Sequence, residues 1–292
     1  MSGEPFPIAL REGAGFAVRD YQRQAAEAFY QAGSDRGGSG VVVLPCGAGK
    51  TIVGMAAMKL VGQTALVLTT SLTAVQQWRR ELLDKTTLQP GDIAEYTGER
   101  KNTGPVTLTT YQILTWRANR EGEFPHLDLF RARSWGLIVY DEVHLLPAPV
   151  FRATADLQAR RRLGLTATLV REDGREGDVF ALIGPKRFDV PWKDLERQAW
   201  IAAATCVEER VPMSAERRME YALAERRAQF RIAAENPAKM VRLRALLAGY
   251  PEGRILIMGG YLAQVEGIAR EIGAPLITGK TPQSERESIY GS

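Results

Sequence analysis

The sequence predicts an open α/β fold in which a parallel sheet carries helices on both faces. Three observations predict it. Short β-branched runs recur along the chain, stretches of helical periodicity alternate with them, and the first strand-to-helix junction holds a glycine-rich loop.

Val41-Val42-Val43-Leu44, Ala65-Leu66-Val67-Leu68 and Leu137-Ile138-Val139-Tyr140 read as strands. Their nearly unbroken apolar character suits strands covered on both faces. Between the first two, Thr51 to Leu60 places Val53, Ala56, Ala57 and Leu60 on one helical face, and Ala74 to Leu83 reads as a second helix. Ligands of such sheets bind beyond the carboxyl ends of the strands.

Past residue 205 the character changes. Ser214 to Ala234 is charged and lacks Pro and Gly, which predicts one long helix with Ser214 as N-cap, Glu216 in the first turn and Asn236-Pro237 as its stop. A helix over Ala238 to Leu247 follows, then a strand over Arg254-Ile255-Leu256-Ile257-Met258. A helix from Leu262 to Ile272 comes next, and Pro275-Leu276-Ile277 begins another strand. A second α/β lobe thus opens near Arg254 with roughly 40 residues left, against the ~100–150 such a lobe needs, so it is expected to be cut short.

Composition narrows the functional classes. The 292 residues are 45% hydrophobic and 25% charged, ordinary for a globular protein. No apolar run approaches the ~20 residues that span a bilayer, and the opening residues lack the basic and apolar regions of a signal peptide. The expectation is a cytoplasmic protein without membrane attachment, nucleoid-associated if prokaryotic. The two cysteines, Cys46 and Cys206, lie far apart, and with only two histidines they argue against a zinc site. The 38 basic residues are interleaved with 34 acidic ones; the net charge of +4 is compatible with nucleic acid without establishing it.

Three constellations carry chemistry. In Leu44-Pro45-Cys46-Gly47-Ala48-Gly49-Lys50-Thr51, Gly47 and Gly49 let the backbone aim its amides at a phosphate chain. Lys50 would then reach the β- and γ-phosphates of that chain, and the Thr51 hydroxyl would ligate Mg²⁺. Leu44 stands where the general pattern has glycine. In the second, the Leu137 strand ends in Asp141-Glu142, with Val143-His144 beyond. On a strand neighbouring the phosphate loop, Asp141 would hold Mg²⁺ and Glu142 would orient the attacking water. His144 on its own is as readily a structural histidine. The third is Gly164-Leu165-Thr166-Ala167-Thr168, a short strand whose hydroxyls, Thr166 and Thr168, are placed to sense a γ-phosphate.

These elements, in this order, resemble motif I, the Asp-Glu-x-His box and motif III of superfamily 2 helicases. Val43 to Lys50, Tyr140 to His144 and Leu165 to Asp173 are similar to the corresponding segments of the XPB family, including Cys46. Arg171-Glu172-Asp173 looks like that family's element for engaging and unwinding DNA; without the resemblance it reads as a solvated loop. Arg19-Asp20-Tyr21-Gln22 resembles the adenine-contacting segment, with Arg19 and Gln22 as its contacts, and is equally a capped helix start. Thr70-Ser71 through Gln77-Trp78 resembles motif Ia, in which Trp78 reads as packing, and Thr109 to Gln112 the next strand-end motif. Arg217, Arg218, Arg226, Arg227 and Arg231 stand where the family carries a thumb, and either touch phosphates or form a solvated face. Gly279 to Arg286 looks like an early motif of the second lobe.

The resemblance implies a RecA-like ATP-binding domain over residues 1–204, a thumb-like helical segment over 205–250, and the beginning of a second RecA-like domain over 251–292. It implies an ATP- and Mg²⁺-dependent motor moving 3′ to 5′ on DNA without sequence preference, in repair or transcription, with any nuclease or repair partner unidentified. His144 would link nucleotide to track. Motifs V and VI, with the arginines that complete the ATP site, are not in these 292 residues. Such an arginine contributes about 10³–10⁵ in rate, so slow hydrolysis by this polypeptide alone is expected. The rival readings are the motor of a restriction or remodelling complex and a non-catalytic adaptor that binds nucleotide or DNA.

Overall fold

The apolar runs pair as parallel strands. In the computed structural model, which describes residues 3–13, 15–34, 37–119, 122–146, 161–168, 176–251 and 253–291, the chain divides into two compact units, Met1–Ala204 and Thr205–Ser292. The first is built on a 7-stranded sheet: β1 (Ser39–Val43), β2 (Ala65–Thr69), β3 (Ile93–Tyr96), β4 (Val106–Thr110), β5 (Leu137–Asp141), β6 (Arg162–Thr166) and β7 (Lys186–Asp189). Their spatial order is β3-β4-β2-β5-β6-β1-β7, and every pairing is parallel.

The period-two alternation of strand side chains divides the core into two layers. Val42, Ala65, Val67, Leu137, Val139, Leu163 and Leu165 pack with α1 (Asp20–Tyr30), α2 (Lys50–Val61) and α3 (Leu72–Lys85). Val41, Leu66, Leu68, Ile138 and Tyr140 face the other way, against α4 (Tyr111–Leu114) and α5 (Glu176–Ile183). This is the α/β architecture with helices on both faces that the sequence predicts.

Three strands were not legible as apolar runs. β4 reads Val-Thr-Leu-Thr-Thr and is buried throughout, its threonines satisfied by local bonds such as Thr107 Oγ1 to the Gly104 carbonyl at 3.0 Å. β3 reads Ile-Ala-Glu-Tyr and β7 Lys-Arg-Phe-Asp, so charged residues break both. One expectation about β5 is corrected. The acid-bearing strand does not neighbour the strand of the phosphate loop, because β6 lies between β1 and β5.

In the first unit α6 (Trp192–Arg197) is the last of the described α-helices. The second unit contains α7 (Ala215–Leu223), α8 (Arg226–Ala234), α9 (Ala238–Ala248), α10 (Leu262–Ile272) and α11 (Gln283–Gly291). The single helix expected over Ser214 to Ala234 is two. Ser214 does cap the first, accepting from the Arg217 amide at 3.2 Å, but Ala224 and Glu225 are extended. The break is stabilised by folding α8 back on α7: Gln229 Nε2 donates to the Tyr221 carbonyl at 3.1 Å, and Arg217 Nη2 to that of Glu235 at 3.2 Å. The strands expected at Arg254–Met258 and Pro275–Ile277 are also absent. Neither segment has a ladder partner among the described residues, and Leu256 and Met258 are exposed. No described helix is long and apolar enough to cross a membrane.

Candidate nucleotide site

The site lies in the first unit, at the carboxyl ends of β1, β5 and β6. β1 delivers buried Leu44 and then the loop Pro45–Gly49, after which α2 starts at Lys50 with Gly49 as N-cap. Gly49 has a φ of +79°, and a Cβ there would lie 2.5 Å from Gln22 Nε2, so no other residue fits without displacing its neighbour. The loop therefore presents a helix N-terminus, with its orphan amides, toward the mouth of the sheet.

The loop is clamped from behind by α1. The Tyr21 hydroxyl donates to the Ala48 carbonyl at 2.7 Å, and Gln22 Nε2 donates to the same oxygen at 2.9 Å. Gln22 Oε1 accepts from the Arg19 amide at 3.0 Å, satisfying a backbone donor at the start of α1. The Arg19 guanidinium lies 4.5 Å from the centre of the Trp200 ring and donates to the Trp200 carbonyl at 3.3 Å. Arg19 to Gln22 thus starts a helix and, through Tyr21 and Gln22, holds the phosphate loop. Tyr21 and Trp200 were not singled out from the sequence. Nothing local to Trp200 signals its arrival at Arg19.

Opposite the loop, Lys50 Nζ meets Glu142 Oε1 at 3.2 Å, with the two side chains 12% and 28% exposed. Glu142 itself adopts a left-handed conformation at φ +50°, which turns the chain sharply at the end of β5. Next to it, His144 Nδ1 lies 2.8 Å from Thr166 Oγ1 at the end of β6. The Thr166 hydroxyl also donates to the Thr168 carbonyl at 2.5 Å. Glu142, His144, Thr166 and Thr168 are thereby brought together, Thr168 lying just past β6 rather than in it.

Asp141 is held from two sides. Trp78 Nε1 donates to its Oδ2 at 2.9 Å, and the Tyr111 hydroxyl donates to its backbone carbonyl at 3.0 Å. Burial raises the Asp141 carboxyl above the usual carboxylate range, and the Trp78 bond opposes that rise. Burial also holds the Tyr111 hydroxyl well above its ordinary value, so it remains a neutral donor. Trp78 is 1% exposed, in agreement with its reading as packing, but it also has a polar task that the packing pattern does not encode.

Among the described residues no group of three or more His, Cys, Asp or Glu could hold a metal by itself. The oxygen donors near Lys50 are the Thr51 hydroxyl and the Asp141 and Glu142 carboxylates. Hard oxygen donors in that small number fit Mg²⁺, which takes one or two protein carboxylates and completes its shell with phosphates and water. Cys46 is exposed at the loop and unpaired by any disulfide. Arg171, Glu172 and Asp173 lie outside the described residues.

Residues 15–171 match the family model "Type III restriction enzyme, res subunit", and residues 195–292 match "ERCC3/RAD25/XPB C-terminal helicase". The chain is 55% identical over 290 residues to the Mycobacterium tuberculosis protein named "DNA 3'-5' helicase XPB", covering 99% of this chain and 51% of that one. It is 37% identical over 281 residues to the Saccharomyces cerevisiae "General transcription and DNA repair factor IIH helicase/translocase subunit XPB/SSL2", covering 93% of this chain and 33% of that protein. Among solved structures, the Pyrococcus furiosus Hef helicase domain is similar in fold, with a TM-score of 0.50 and 20% identity over 93% of this chain and 56% of that one. The chain spans about half the length of the bacterial relatives it matches. On its motifs, its sheet and these matches, the chain belongs to the XPB family of superfamily 2 helicases.

Proposed function

We propose that this chain is the ATP-binding part of a DNA helicase or translocase that moves 3′ to 5′, working in DNA repair or transcription in the cytoplasm, at the nucleoid if prokaryotic. The observation that carries the reading is the convergence of Lys50, Asp141, Glu142, His144 and Thr166 at three strand ends. In this proposal the backbone amides of residues 47–51, with Lys50, bind the ATP phosphates. Thr51 and Asp141 hold Mg²⁺, which supplies charge neutralisation at the phosphates when bound. Glu142 orients the attacking water, and Arg19 and Gln22 border the base. His144 Nδ1, 3.6 Å from Glu142 Oε2, continues through Thr166 to Thr168 at the end of β6, the direction in which a change at the γ-phosphate would travel. Residues 205–250 are read as a thumb-like segment and 251–292 as the start of the second helicase domain. The bacterial relatives' printed name and the XPB match over residues 195–292 support this reading over a restriction motor, although residues 15–171 match that family's model.

The test is ATP hydrolysis with and without duplex DNA, in the wild type and in Lys50→Ala. Slow hydrolysis by this polypeptide that DNA nonetheless stimulates, and that Lys50→Ala lowers at least ~100-fold, is expected, since electrostatic groups of this kind contribute on the order of 10²–10³ each. Equal background rates in both proteins, unaffected by DNA, would favour a non-catalytic adaptor.

A further inference from the structure

The Trp78–Asp141 bond joins two elements that the phosphate loop alone does not connect. Trp78 sits in α3, which starts from Ser71 just beyond β2, where the Ser71 hydroxyl accepts from the Ala74 amide at 3.2 Å. Its ring is 1% exposed and packs so closely on α2 that a Cβ at Gly54 would lie 2.5 Å from its Cη2. The indole therefore has one position, and from it Nε1 reaches Asp141 Oδ2 at 2.9 Å. A rigid aromatic plane that donates one bond to one carboxylate oxygen fixes the rotation of that carboxylate. Tyr111 fixes the adjacent backbone through the Asp141 carbonyl.

We propose that Trp78 is a positioning residue for Mg²⁺: by holding Oδ2 it turns the Asp141 carboxylate toward the metal that accompanies ATP. The inference rests on the reading of Asp141 as a ligand of that metal. Residues that hydrogen-bond a metal-ligating carboxylate commonly change metal affinity by about 10–100-fold when removed, without touching the ion. Gly54 belongs to the same device, because only a residue without a Cβ lets α2 approach the indole this closely.

The experiment uses Trp78→Phe, which keeps an aromatic ring in the core and removes the N–H. A fluorescent ATP analogue is titrated into wild type and variant, once in EDTA and once in excess Mg²⁺. In EDTA the two proteins are expected to bind within about twofold of each other. With Mg²⁺ the wild type tightens, and the variant is expected to lose about 10-fold of that tightening. The same Mg²⁺ tightening in both proteins overturns the proposal, as does a lower thermal midpoint accompanied by unchanged Mg²⁺ tightening, which would make Trp78 a packing residue only. A wild type that binds no nucleotide under either condition overturns the ATP-site reading itself and this inference with it. Should Trp78→Phe fail to fold, the wild type labelled with ¹⁵N at its indoles decides. Adding Mg²⁺ to the nucleotide-saturated protein must shift a solvent-protected indole N–H signal, and no such shift overturns the proposal.

Discussion

At the scale of single residues, the site depends on backbone shapes that side chains would spoil. Gly49 is the clearest case, with φ +79° and no room for a Cβ beside Gln22. Gly49→Ala is expected to cost about 1–2 kcal/mol from the left-handed backbone alone. It should also weaken nucleotide binding by at least about tenfold, a change of ~1.4 kcal/mol. Denaturant unfolding and a nucleotide titration check both effects, and unchanged values in each would contradict this account of the loop. Asp141 shows the opposite relation between function and stability. Burial disfavours its charged form, so Asp141→Asn is expected to raise the unfolding midpoint at neutral pH while removing the response of nucleotide binding to Mg²⁺. The glycines, the lysine and the acid pair were legible in the sequence, because their chemistry is local. The bonds from Tyr21 and Gln22 to the Ala48 carbonyl were not, since contacts across such a separation leave no periodic trace.

At the scale of elements, close approaches between helices and strand edges set what can change. The contact of α2 with α3 through Gly54 and Trp78 predicts that Gly54→Ala overpacks the core, costing about 1–3 kcal/mol in denaturant unfolding. A cost near zero would mean the two helices separate freely. At the β3 edge, Tyr96 Oη lies 2.9 Å from His126 Nδ1, and the Tyr96 and His126 rings meet edge-on. Burial, and then the nearby Lys101 charge, lower the His126 pKa below its ordinary value. With the folded pKa below the unfolded one, the neutral ring contributes stability that is fully present above pH ~6.5 and lost as pH falls through the folded value. Urea midpoints measured across pH should therefore drop more on the acid side for wild type than for His126→Phe; parallel curves would contradict it. β3 and β4 escaped sequence reading because buried Glu95, Thr107 and Thr109 interrupt their apolar pattern, whereas β2 and β5 carried no such polar residues in their apolar runs.

At the scale of the whole molecule, the parallel sheet was readable from composition and rhythm, but its order was not. The sequence placed the acid strand beside the phosphate loop, while the fold inserts β6 between them, and that insertion is what lets Thr166 meet His144. The second unit was less legible. No glycine or proline marks the break between α7 and α8, which long-range bonds from Arg217 and Gln229 stabilise, and the apolar segment at Ile255–Met258 resembles a strand only until a ladder partner is sought. The central claim is that Lys50, Thr51, Asp141 and Glu142 together form an ATP–Mg²⁺ site at the ends of β1 and β5. A structure determined with a non-hydrolysable ATP analogue and Mg²⁺ tests it most directly. The account predicts the β- and γ-phosphates against Lys50 Nζ and the amides of residues 47–51, with the metal between Thr51 and Asp141. Phosphates bound elsewhere, or a metal that neither Thr51 nor Asp141 approaches, would contradict it.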